Sequence, residues 1–291
     1  MKFKSNILLE SQLFNQLYRT TKKDIKGNQV YSGNTARLFP IFGASLNTPF
    51  KLNNNFFDLT YKPKLSLIMS PGISNSEKIS NEDSSLNTYS EKNELSLNRY
   101  TGSDKLDNSK RLVSSFNINN DLVDINLSQT YEFTNNSNFH KDMGNNDHLS
   151  DLLGSFQYIK LNNEFKYNFR YDHDSKYLKK QNINYENKNL LGDIKLLYLD
   201  QKSDSDTIIT DDIETLNYSF TSKKFNKFSK VSLSGLYNLK FSNNTEYGLN
   251  YSYFDECFGI DIDFNRKSYK EDTLKPQDTL TIMFSFKNVG S

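Results

Sequence analysis

Ser242–Lys267 reads SNNTEYGLNYSYFDECFGIDIDFNRK. Within it Ile260, Asp261, Ile262, Asp263 and Phe264 alternate apolar with charged. Alternation puts successive side chains on opposite faces of a strand. One face is greasy and the other carries carboxylates, which a dry core rejects unless they are paired. A wall with hydrocarbon on one side and water on the other satisfies both faces, and a transmembrane β-barrel is such a wall. Cys257, the only cysteine, stands between this strand and the one before it.

The totals agree. The chain has 291 residues, with 18 Tyr, 22 Phe, no Trp and a formal net charge of +1. Its mean hydropathy of −0.72 and the lack of any run of about 18 apolar residues argue against membrane-spanning helices. A barrel tolerates this polarity because its strands are half apolar. Balanced charge without a basic stripe excludes a nucleic-acid binder. Abundant Asn and Ser would suit a disordered chain, but the wealth of Tyr, Phe and Ile does not. MKFKSNILLESQLFNQLYR, at the N-terminus, lacks the apolar run and cleavage site of a signal peptide. Because a barrel requires export, a missing upstream part is expected.

Outward from the opening hairpin, the same rhythm recurs. Strands are expected at Ile7–Thr20, Thr35–Pro49, Phe56–Ser70, Lys110–Asn119, Asp121–Phe133, Asp151–Leu161, Glu164–Asp172, Tyr177–Glu186, Lys188–Asp200, Asp211–Ser222, Phe228–Phe241 and Thr279–Lys287. Thr21–Asn34 reads as a polar loop, Phe50–Asn55 as a short turn and Pro71–Ser109 as a long polar segment. Asn162-Asn163 suits a two-residue hairpin turn. Pro63 marks an irregularity or a free donor position in its strand. The fold class is therefore all-β, an antiparallel transmembrane barrel portion of roughly 14 strands. Connections alternate between long and short, as in barrels with long outer loops and short periplasmic turns, and that parity places both termini on the periplasmic side.

Two boxes stand in the long segment. Ile79–Ser84 contains Asn81, Glu82, Asp83 and Ser84; Asn93–Lys105 contains Asn98, Arg99, Gly102 and Asp104. Together they resemble the lipopolysaccharide-assembly outer-membrane protein family LptD, which has an N-E-D-S-like box and then an N-R-F-x-G-x-D-R-like box. Here Leu97 has no aromatic beside it and Lys105 replaces the usual arginine. Arg37-Leu38-Phe39-Pro40, Thr48-Pro49-Phe50, Tyr253 four residues before Cys257, Arg266 and the Lys287-Asn288-Val289-Gly290 terminus are also similar to the family.

The resemblance implies that residues 1–291 are the C-terminal half of a barrel of about 26 strands, with a long outer loop at 71–109. It implies a role in translocating lipopolysaccharide to the outer leaflet of the bacterial outer membrane, and no catalysis. The partners implied are lipopolysaccharide, an LptE-like plug lipoprotein, outer-membrane lipids and, through the missing N-terminal region, periplasmic bridge proteins. Leu280, Ile282, Phe284 and Phe286 would form one lip of a lateral gate. Lys166, Arg170, Asp261 and Asp263 would face the water-filled lumen. Cys257 matches one cysteine of a pair that bonds to the N-terminal region in many members; Glu256 stands where a second might be. The plain alternative for Cys257 is an unpaired thiol at a turn.

Other chemistry finds little support. His140, His148 and His173 match no metal-ligand spacing. There is no phosphate-cradling glycine loop and no nucleophile elbow. Glu82-Asp83 alone is weak ground for a cation site, and the plainer reading of the boxes is loop-building by Asn, Asp and Gly. No cofactor or metal is expected. A self-contained diffusion porin and a soluble β-protein are the competing readings.

Overall fold

The computed structural model describes residues 2–26, 29–54, 57–73, 75–84, 93–134, 148–202, 212–268 and 276–286. His140 and the Lys287–Gly290 terminus lie outside the described residues. In the described parts the chain is built of strands: β1 (Lys2–Phe3), β2 (Asn6–Ile25), β3 (Gln29–Asn47), β4 (Phe50–Asn54), β5 (Phe57–Met69), β6 (Lys110–Asn119), β7 (Val123–Glu132), β8 (Leu152–Lys160), β9 (Asn163–Asp172), β10 (Tyr177–Lys188), β11 (Gly192–Gln201), β12 (Ile213–Ser222), β13 (Ser229–Asn238), β14 (Asn243–Phe254), β15 (Phe258–Lys267) and β16 (Gln277–Phe286). No helix among the described residues is long and apolar enough to cross a membrane, which says nothing of crossing by strands.

The chain divides into two units. The first holds β1–β7 with the start of β8 and the end of β9; the second holds the rest of those two strands and β10–β16. In the second unit, consecutive strands from β10 to β16 pair antiparallel. The register lines up Ile194, Phe220, Leu233, Leu249, Phe264 and Leu280 as direct partners across six strands. On the opposite face Asn250, Asp263 and Thr281 are partners. Every second residue on a strand shares a face, so one register slip would exchange these two rows. Gly235 is the gap in the apolar face; a Cβ there would lie 2.3 Å from the Tyr218 ring, which covers it.

In the first unit β3 and β4 together pair along β5. The break between them is where Pro49 and Pro63 sit. Pro63 pairs with Phe116 on one side, and on the other its carbonyl accepts the Thr48 N–H at 3.2 Å. A strand residue points its N and its carbonyl to the same neighbour, so the N–H that Pro63 lacks faces the break. This is the expected irregularity. The apolar face again runs straight across: Leu9, Ala44, Leu67, Leu112 and Tyr131 are successive partners.

Three expectations are corrected. Thr21–Asn34 is mostly strand: Lys23, Asp24 and Ile25 pair with Tyr31, Val30 and Gln29 beyond a bulge at Thr20/Lys23. Arms of 20 and 19 residues exceed the 9–11 or so needed to span; in the outer stretch Ile25, Val30 and Tyr31 stand among mostly polar residues, and the alternation fades from the sequence. Phe50–Asn55 is not a turn, since Phe50–Asn54 is β4. The β8–β9 hairpin turns at Leu161 and Asn162, with Leu161 at φ 53°.

Candidate functional site

The two sequence boxes meet. Asp83 Oδ1 accepts the Asp104 N–H at 2.9 Å and the Ser84 hydroxyl at 2.8 Å, and both Asp83 oxygens accept the Ser103 N–H at 3.1 Å. Asp104 Oδ2 returns the contact, accepting the N–H groups of Glu82 at 2.8 Å and Asp83 at 3.1 Å. The Asp104 N–H, then the Ser84 hydroxyl and the Ser103 N–H, hold the Asp83 carboxyl well below the usual carboxylate range. Ser84 Oγ accepts the Lys105 N–H at 3.0 Å, and Asn81 Oδ1 accepts the Ser84 N–H at 3.1 Å. A Cβ on Gly102 would lie 2.3 Å from both the carbonyl and the carboxylate of Asp83, so only glycine fits this close approach. Glu82 enters through its backbone.

This clamped segment lies on the sheet face opposite the apolar row. Asn98 braces it: its Oδ1 accepts the Tyr100 N–H at 3.3 Å and the Asp107 N–H at 3.0 Å, and its Nδ2 donates to the Gly102 carbonyl at 3.3 Å. Arg37 on β3 reaches up to it, donating to the Ser103 carbonyl at 2.5 Å and the Asp104 carbonyl at 2.8 Å. Gln16 and Tyr18 of β2 hold the same guanidinium at 2.5 and 3.0 Å. At the bulge, Thr20 Oγ1 donates to the Lys78 carbonyl at 2.7 Å and Lys23 Nζ donates to that of Ile79. Beneath the segment Phe39, Ile41, Ile68, Leu106 and Val113 are buried together, with Phe14, Leu95 and Leu97 against them. Leu38 of the Arg37–Pro40 motif faces the other way and is exposed.

Beside that cluster lies a buried ionic network. Arg99 Nε donates to Asp107 at 2.6 Å and its Nη2 to Glu132 at 2.5 Å; Arg111 Nη1 donates to the same Asp107 at 2.8 Å. All four side chains are 1% exposed or less. Ser109 adds bonds to both Glu132 oxygens at 3.0 and 2.8 Å, and Arg111 also donates to the carbonyls of Glu94 and Ser96. Burial works against the Arg99 charge, yet Asp107 and Glu132 outweigh it and keep the guanidinium more firmly protonated than usual. Burial, with the Asp107 charge, pushes the Tyr100 hydroxyl up to about 12. Arg99 was legible as a motif residue. Asp107, Arg111 and Glu132 were not, although Arg111 and Glu132 are direct cross-strand partners.

Elsewhere the candidate residues are placed singly. Leu280, Ile282, Phe284 and Phe286 share the apolar side of β16, all exposed. Among the described residues β16 pairs with β15 alone. Cys257 is exposed at the β14–β15 turn. Its N–H and that of Phe258 donate to Asp255 Oδ1 at 2.9 and 2.8 Å, and these two bonds hold the Asp255 carboxyl below its ordinary value. Lys166 pairs with Glu164 at 2.6 Å, and the buried Arg170 with Asp151 at 3.2 Å. His173 meets Asp174 at 2.9 Å. The ligand atoms of Asp172, His173 and Asp174 come within 4.8 Å of one another, but Asp172 already caps its own turn through the N–H groups of Asp174 and Ser175.

A family model described as LptD, LPS transport system D, matches residues 3–242. The chain belongs to the LptD family. LptD proteins are outer-membrane β-barrels of lipopolysaccharide transport and assembly, and both clamped boxes fall within the matched residues. Cys257 and β16 lie beyond them. The chain is thus an outer-membrane protein, with its strands as the membrane-crossing elements. A search among curated proteins found no match. Among solved structures, a triple mutant of Rh. blastica porin is 10% identical at a TM-score of 0.38, over 94% of this chain and 88% of that one. A double mutant of the same porin is 10% identical at 0.35, over 96% and 98%. Similarity at that level bears on no functional detail.

Proposed function

We propose that this chain forms the C-terminal part of the barrel wall through which lipopolysaccharide reaches the outer leaflet. The observation that carries the reading is the LptD match over residues 3–242, whose two polar boxes are locked together on one sheet face. In this reading that face lines the lumen, where saccharide passes, and the apolar rows meet lipid. The segment at 71–109 is an outer loop folded inward. β16 is one lip of a lateral gate, with Leu280, Ile282, Phe284 and Phe286 toward the acyl chains. Cys257 bonds to a cysteine outside this chain. An LptE-like lipoprotein plugs the lumen, and bridge proteins deliver substrate through a region upstream. The test is depletion of the protein in living cells, followed by pulse-labelling of lipopolysaccharide and detection at the cell surface. Newly made lipopolysaccharide should stop arriving at the surface while its synthesis continues. Undiminished arrival would rule the proposal out.

A further inference from the structure

The face that carries the clamped segment has a second, unfilled feature nearer the other end of the strands. Asn47 of β3, Lys64 of β5, Ser115 of β6 and Ser128 of β7 are direct partners in turn, a polar row across four strands. One residue pair further along, Lys62 and Asn117 are partners, followed by Asn126. A cavity of about 220 Å³ opens over this row, between Glu94 and Leu95 of the folded segment and the β6–β7 ladder, with Ser115, Asn117, Asn126 and Ser128 in its lining.

Three buried oxygens on this face have no hydrogen-bond partner: Ser128 Oγ, Asn47 Oδ1 and Asn119 Oδ1. Ser128 is 4% exposed. Buried polar atoms are ordinarily satisfied, and leaving one unmade is costly. The cavity is far larger than the ~30 Å³ share of one water. The remaining donors and acceptors are already set in place: Asn117 Nδ2 donates to Asp124 at 2.6 Å and to Asn126 at 2.7 Å, and Asn126 Nδ2 donates to Ser155 at 3.2 Å. On the neighbouring strand β5, Lys62 and Lys64 are the direct partners of the lining residues Asn117 and Ser115, and they have no ion-pair partner among the described residues. Glu94, 2% exposed, forms part of the opposite wall.

We propose that this cavity is a saccharide site that takes one anionic sugar residue of the transported lipopolysaccharide. The sugar hydroxyls satisfy Ser128 and the amide row, and its carboxylate or phosphate meets Lys64 and Lys62. The inference rests on the transport reading above, and names where on the wall the polysaccharide is held.

The test is photo-crosslinking in cells with the full-length protein. A photo-reactive side chain is placed at position 115, in the row, and separately at position 263, on the polar face of β15 and remote in sequence. Crosslinked lipopolysaccharide is expected from position 115, and its yield should fall roughly tenfold when Lys62→Gln and Lys64→Gln remove the charge-assisted bonds. Heat-modifiable gel mobility verifies that each variant is folded. Crosslinking at 263 without any at 115, as expected if only water fills the cavity, overturns the site and leaves transport standing. Crosslinking at neither position overturns both. Crosslinking at 115 that is indifferent to both lysines overturns the anionic sugar.

Discussion

Asp83 and Asp104 each accept the other's backbone N–H: Asp104 N–H lies 2.9 Å from Asp83 Oδ1, and Asp83 N–H lies 3.1 Å from Asp104 Oδ2. Two acidic side chains are thereby used to join two backbone stretches about twenty residues apart, and no cation is needed between them. Each carboxylate is directed at N–H groups, where its charge strengthens the bond. The reciprocity explains why an acidic residue stands in each box.

The clamp should weaken in acid. The Asp83 carboxyl is held below the usual range by the N–H and hydroxyl groups it accepts. A depressed folded-state value means that its contribution is complete above about pH 4, the ordinary aspartate value, and is lost as pH falls from there toward the depressed value. Protection of the Ser103 and Asp104 amides against hydrogen exchange, relative to the intrinsic rate at each pH, should therefore be high at neutral pH and fall in strong acid. Asp83→Asn should bring that loss of protection to neutral pH. Equal protection in the variant at neutral pH would show that the charge is immaterial.

Gly102→Ala should open the clamp without any change of charge. The new methyl would sit 2.3 Å from the Asp83 carbonyl and carboxylate, and overpacking of this kind costs about 1–3 kcal/mol. Limited proteolysis should cut between 75 and 109 in this variant while the strands remain protected. A wild-type digestion pattern would contradict the close approach.

Arg99→Leu removes the guanidinium that pairs with both Glu132 and Asp107 in a dry site. Removing one partner of a buried pair costs about 3–5 kcal/mol. Arg99→Leu with Glu132→Leu should cost less than the two single changes summed, because the two members of the ion pair are removed together. Urea unfolding in lipid vesicles measures this cycle, and strict additivity would refute the network.

On β15 the two faces should respond oppositely. Ile262→Arg places a charge on the lipid side, at about 2–4 kcal/mol near mid-membrane. Asp263→Asn, its immediate neighbour on the polar side, should stay within about 0.5 kcal/mol. The same urea titration in vesicles compares them. A similar cost for both would mean that β15 does not separate lipid from water.

Cys257 is exposed here, so in the isolated chain a maleimide should label it at once. If it bonds to a cysteine outside the chain, the protein taken from cells should resist labelling until reduced. Labelling without reduction would remove the disulfide from the proposed function.

The strands, the faces and the chain's family were determined by the sequence itself, for a local reason. Alternation such as Ile260–Phe264 is written two residues at a time, and a strand in a wall between lipid and water must obey it. The boxes at Asn81–Ser84 and Asn98–Asp104 were likewise legible as short patterns. Where alternation lapsed, in Thr21–Asn34 and Phe50–Asn55, the sequence misled, because those strand ends carry few apolar residues or join another strand across a proline break. Only the tertiary structure decided that Asp83 reaches Asp104, that Arg37 reaches Ser103, and that Arg99 and Glu132, 33 positions apart, share a dry site with Asp107 and Arg111. Such contacts depend on how a long segment closes back on the sheet. Many closures cost nearly the same entropy, since that cost grows only slowly with length, so packing and charge pairing choose among them after the strands are in place.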